Sequence, residues 1–223
     1  FVAATETATV SGVRIAWSPT LGWANPDRAI VAACERALAA LESHGAVVVD
    51  TVESVFEERP VFAWVARAAR GSWRTATASG GPETFDARFL PEALTTANYG
   101  AGLTDIDALL DAEAGAHRAG LALARLFERF DVLVTPGMAT IPPRHREASP
   151  YGPGWAADYT LAFNLTRSPA TVTPVGFVPD DEGSSLPVAM QMVMPRGRDL
   201  ELMSFSAAAE QILDLVSRRA PSP

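Results

Sequence analysis

At 223 residues, 48% hydrophobic and 20% charged, the chain is long and apolar enough to bury a sizeable core and is not composed like a disordered segment. A single cysteine rules out an internal disulfide framework, and a net charge of −8 argues against nucleic acid as a partner, since phosphate binding leans on clustered basic charge. All 18 basic residues are Arg; the sequence contains no Lys. No apolar run approaches the roughly 18 residues of a membrane-spanning helix, and the opening Phe1-Val-Ala-Ala-Thr-Glu6 lacks the basic and apolar pattern of a signal segment. The expected setting is cytoplasmic, with no membrane partner.

Residues 1–12 read as an extended linker, 13–217 as one globular lobe and 218–223 as a tail. The alternation Val13-Arg-Ile-Ala-Trp17 predicts a short strand. Asn25 is the expected N-cap of the next helix, with Pro26 in its first turn and Asp27 at the positive end of its dipole. Ile30, Val31, Cys34, Leu38 and Leu41 recur at helical spacing, Gly45 closes the helix, and Val47–Val49 predict a second strand. Strand, helix and strand within about 40 residues form a βαβ unit, which requires parallel pairing and a right-handed crossover.

Residues 56–80 read as helical and end at Ser79-Gly80-Gly81, and 82–103 are less regular. A long helix is expected from Thr104 to about Arg129, then a buried strand over 131–135 stopped by Pro136-Gly137. A Pro- and Gly-rich loop over 139–155 leads into a short helix at 155–165. Strands are expected at 171–178 and 188–194, joined by the turn Asp180-Asp-Glu-Gly183, and a last amphipathic helix at 200–217. The fold class is α/β, a mixed β-sheet flanked by helices.

His44, His117 and His145 share no ligand-like spacing and read as surface residues, so no metal is expected. There is no Gly-x-Ser-x-Gly elbow, phosphate-cradling loop or dinucleotide fingerprint, and no cofactor is expected. Cys34 reads as a small buried hydrophobe and Gln191 as a buried, hydrogen-bonded amide. Arg196-Gly-Arg198 reads as a solvated turn, with contact to a substrate anion as the alternative. Asn164-Leu-Thr166 fits a glycosylation sequon by chance, and Gly183-Ser-Ser185 reads as a hairpin loop and not as a nucleophile.

Several phrases together resemble the amidase signature family. They are Asp131-Val-Leu-Val-Thr-Pro136, Tyr159-Thr-Leu-Ala-Phe-Asn-Leu-Thr-Arg-Ser-Pro-Ala170 with Thr173-Pro-Val-Gly176 after it, and Leu186-Pro-Val-Ala-Met-Gln-Met-Val193. The run Leu41–Asp50 and the opening βαβ unit are similar to the same family's later portion, so the resemblance covers roughly 13–216. It implies hydrolysis of amide C–N bonds by a Ser–cis-Ser–Lys triad, with a serine acylated, Lys as base and backbone N–H groups holding the oxyanion. In that family the triad precedes the region matched here. Arg cannot replace the missing Lys, because a guanidinium has no useful neutral fraction at pH 7. No catalytic residue is therefore expected in this chain, and the segment alone is expected to be inactive.

The resemblance implies a C-terminal portion that completes the sheet and lines a substrate cleft with Pro136, Gly137, Met138, Tyr159, Asn164, Arg167, Ser168 and Pro169. Arg167 and Ser168 stand where the family carries Gly and a larger residue, and Ala189 replaces a second Gly. The implied partners are a small-molecule amide substrate and the N-terminal, triad-bearing part of the same protein, with a homodimer as another way to cover the exposed sheet. The alternative is a noncatalytic amidase-like scaffold or small-molecule-binding protein.

Overall fold

The computed structural model describes residues 2–6, 8–52, 54–57, 59, 71, 73–75, 77, 78, 106–142, 158–180 and 182–214. In chain order these form α1 (Val2–Glu6), β1 (Arg14–Trp17), α2 (Arg28–Ser43), β2 (Val47–Thr51), α3 (Ile106–Phe127), β3 (Val132–Pro136), α4 (Leu161–Thr166), β4 (Ala170–Pro179), β5 (Ser185–Val193) and α5 (Asp199–Leu213). The strands make one sheet in the order β2-β1-β3-β5-β4. β1 runs parallel to β2 and β3, and β5 runs antiparallel to β3 and β4. The sheet is thus mixed and open, flanked by helices, and β1-α2-β2 is the βαβ unit expected from the sequence.

Period-2 alternation sorts the strand residues between two helical layers. Ile15, Trp17, Val132, Val134, Met190 and Met192 point to α2 and α5, where Ile30, Cys34, Leu41, Leu202 and Phe205 meet them. Ala16, Leu133 and Val193 point to the other layer, against Leu123 of α3 and Tyr159, Ala162 and Phe163 around α4. β3 is covered on both faces, so all five of its residues are buried. β4 lies at the edge, and on the α4 side its Val172 is 57% exposed.

Local chemistry moves several boundaries. Asp27, not Asn25, caps α2: its carboxylate accepts from the Ala29 N–H at 2.7 Å, combining a capping bond with negative charge at the helix's positive end. Gly45 follows the helix at φ +96°, the left-handed position that glycine takes freely. Residues 1–12 are not simply an extended linker, since Val2–Glu6 is helical and packs on α5, and Val10 is buried. The Ala-Ala pair inside that segment favours the helix.

β5 begins at Ser185, earlier than the Val188 expected, because the β4–β5 hairpin continues past the end of β3, whose last partner is Met190. Beyond that point β5 is locally an edge, which is why Pro187, with no N–H to give, is tolerated there. α4 starts at Leu161 after a turn at 158–160, and α5 closes at Asp214 in the left-handed conformation. Of the stretch 56–80, residues 71, 73–75, 77 and 78 are helical. The segments 82–103 and 143–155, Ser79-Gly80-Gly81, Thr104, His145 and the 218–223 tail lie outside the described residues.

Candidate functional site

Parallel strands gather their carboxyl ends on one side, and the segments leaving them form a crevice there, where open α/β sheets bind ligands. Here the candidate crevice is that carboxyl end of the sheet, where residues 18–24 follow β1, 137–142 follow β3 and the 158–160 turn precedes α4. Ser18 continues the ladder through its N–H to the Val134 carbonyl (3.0 Å), and its buried hydroxyl accepts from the Leu21 N–H (3.2 Å). Leu21 is fully buried at φ +54°, a conformation unfavourable for a side chain of its size, so packing holds this loop in place. Beside it, Trp23, Phe56 and Phe163 form a chain of rings with centroids 5.4 and 6.3 Å apart.

Four of the expected cleft residues sit at this end. Pro136 is buried, and Gly137 and Met138 are half-buried. The Gly137 N–H donates to the Ala189 carbonyl at 2.8 Å, and a β-carbon at Gly137 would meet that oxygen at 3.1 Å and Val172 Cγ1 at 3.5 Å. The absence of a side chain lets the turn lie flat against the hairpin. Tyr159 is also at this end but is only 1% exposed, a supporting residue beneath the crevice. Its hydroxyl donates to the Pro19 carbonyl, and burial, reinforced by the charge of Asp158, holds the phenol protonated well above its ordinary range.

Gln191 joins these pieces from below. Its Nε2 donates to the Tyr159 carbonyl at 2.8 Å and to Thr135 Oγ1 at 3.2 Å, as its buried-amide reading required. The Trp23 Nε1–H donates to the Asp158 carbonyl (2.9 Å), and Arg59 pairs with the Asp158 carboxylate, so the 158–160 turn is tied on both sides.

The other expected residues lie elsewhere. Ala170 pairs with Val193 and, through it, sits level with Leu133, whereas Gly137 sits level with Ala189. Four residues along β5 separate the two levels, about 13 Å. Arg167, Ser168 and Pro169 therefore lie towards the amino end of β3, away from the crevice, and Asn164 is exposed on α4. Ser168 shares a hydrogen bond with Thr166 Oγ1 (2.9 Å), and the Pro169 carbonyl accepts from the Met194 N–H (3.2 Å). One sequence phrase thus spans both ends of the sheet, because α4 runs between them. Sequence reasoning missed Ser18 and Leu21, since nothing in the pattern between Trp17 and Asn25 marks a left-handed leucine.

Among the described residues around the crevice, no hydroxyl or thiol is paired with a base. Cys34 lies on the other face of the sheet, and burial, with the charge of Glu35, pushes its thiol up to about 12. The profile of the Amidase family matches residues 1–203. The chain belongs to the amidase family. Among curated members, an acylamidase of Rhodococcus erythropolis is 25% identical over 225 residues, covering 91% of this chain and 43% of that protein. One component of the glutamyl-tRNA(Gln) amidotransferase of Deinococcus deserti is 37% identical over 92 residues, covering 40% of this chain and 19% of that protein. Among solved structures, a bacterial aryl acylamidase of the amidase signature enzymes superposes with a TM-score of 0.73 at 22% identity, over 99% of this chain and 48% of that one. A 6-aminohexanoate cyclic dimer hydrolase gives 0.73 at 19%, over 96% and 48%. The chain spans less than half the length of the acylamidase and of these two structures.

Proposed function

We propose that residues 1–223 are the cleft-wall portion of a hydrolase acting on small linear amides, whose nucleophile and base lie outside them. The observation that carries this reading is an amidase-family match over 1–203 in a chain with no Lys. A serine attacks an amide only when a base removes its proton, and guanidinium groups cannot serve as that base. In the proposed reaction the serine oxygen bonds to the amide carbon and its proton passes to the base. The tetrahedral oxyanion rests on backbone N–H groups, and the amine leaves with that proton. Water then cleaves the acyl ester by the same route and restores the serine.

The chain's own share is positional. The Pro136-Gly137-Met138 turn and the loop carrying Trp23 wall the crevice, and the Gln191–Tyr159–Thr135 network keeps that wall rigid. The uncovered α4-side face of β4 around Val172 is where the remainder of the protein would dock.

The test compares the product of the full reading frame with residues 1–223 alone on a chromogenic anilide. The full product is expected to release the aniline and to lose about 10³-fold or more in kcat when its upstream Lys is replaced, and residues 1–223 alone are expected to be inactive. Turnover by residues 1–223 alone would overturn the reading, and a full product inactive on every amide tried would favour the noncatalytic scaffold.

A further inference from the structure

At the amino end of β3 a separate pocket of about 340 Å³ opens between α3, the end of α4 and the turn that joins β5 to α5. His117 enters it from α3, Arg167 from the end of α4 and Arg196 from the turn, with Glu113 as the acidic group on its wall. Three segments distant in sequence thus place Arg167, Arg196 and His117, all exposed, around one open pocket, in a chain whose net charge is −8. Glu113 has interactions of its own. Neither guanidinium makes an ion pair or a side-chain hydrogen bond among the described residues.

The backbone at Arg167 supplies a second observation. Arg167 ends α4 at φ 55°, ψ 35°, with its N–H on the Asn164 carbonyl and the Ser168 N–H on the Phe163 carbonyl. This closure is usually made by glycine, which adopts that conformation freely. An arginine held there carries a backbone penalty that its exposed side chain does not recover through an ion pair or side-chain hydrogen bond among the described residues. Such an outlier points to a role for the side chain outside the fold.

We infer that this pocket binds a small molecule bearing a phosphate or carboxylate group, held by Arg167 and Arg196. Guanidinium forks present paired N–H donors that match the oxygens of such anions, and His117 offers a third polar contact. The volume is that of a small-molecule site and exceeds what a lone inorganic ion fills. The site lies apart from the crevice, and its occupancy is read by binding alone, so it stands or falls independently of the hydrolase proposal.

The test is calorimetric titration of the full gene product with sodium phosphate and, separately, with succinate, at ionic strength held constant with chloride. Saturable binding of at least one anion is expected, weakened about tenfold by Arg167→Gly and by Arg196→Gln. Glycine suits the left-handed position and both side chains are exposed, so both variants are expected to fold. Binding of phosphate alone would support the site and assign it a phosphate group; binding of succinate alone would support it and assign a carboxylate. No saturable binding beyond chloride, or binding unchanged in both variants, would overturn the proposal.

Discussion

Cys34 shows how burial sets chemistry at a single residue. It lies fully inside the α2 layer with its sulfur 4.0 Å from the Ala189 carbonyl, and with its thiol pushed up to about 12 it stays protonated at any ordinary pH. Alkylation requires the thiolate and an approach path, and the fold withholds both. Iodoacetamide at pH 8 is therefore expected to leave Cys34 unmodified in the native protein and to label it after denaturation, read by peptide mapping; rapid labelling of Cys34 in the native protein would contradict this placement. The sequence made Cys34 legible because a lone cysteine at a helical core spacing has few other readings. Tyr159 was harder. Its phrase marked it as belonging near the crevice, but whether its ring walls the cavity or supports the wall depends on the Pro19 and Gln191 contacts, which join residues 140 and 32 positions apart.

At the scale of elements, helix ends carry the clearest contrasts. The sequence pointed to Asn25 as the cap of α2, and the choice of Asp27 depends on which side chain reaches the Ala29 N–H, a matter of two residues that periodicity does not resolve. α4 ends on a non-glycine left-handed residue, so Arg167→Gly is expected to raise stability by about 1 kcal/mol, or roughly 2–4 °C in Tm for a chain of this size. A thermal melt without added anion tests this, and an unchanged or lower Tm would show that the arginine is not strained. β1, α2, β2 and β3 were legible because a period of 2 or 3.6 states the buried face directly. The early start of β5 was not, since it depends on where the neighbouring strand stops. The crevice was legible only in part: Pro136-Gly137 could be placed from the strand it ends, but the phrase 159–170 bends from one end of the sheet to the other.

For the whole molecule, the described residues supply a mixed five-stranded sheet with helices on both faces and a candidate crevice at the carboxyl ends of its parallel strands. It lacks the one residue type that the proposed chemistry needs as a base, and it spans less than half of the acylamidase that it resembles over 91% of its own length. The edge strand β4, bare on the side of α4 at Val172, is the surface that the remaining portion is proposed to cover. Family membership could be read from the order and spacing of four short phrases, because they mark strand ends and helix starts that the sheet must keep in register. The most direct measurement treats the full gene product with a fluorophosphonate, which phosphonylates activated serines with loss of fluoride, followed by peptide mapping of the adduct. One labelled serine is expected, outside residues 1–223, with loss of amide hydrolysis in proportion to labelling. An adduct on any serine within residues 1–223 would contradict it.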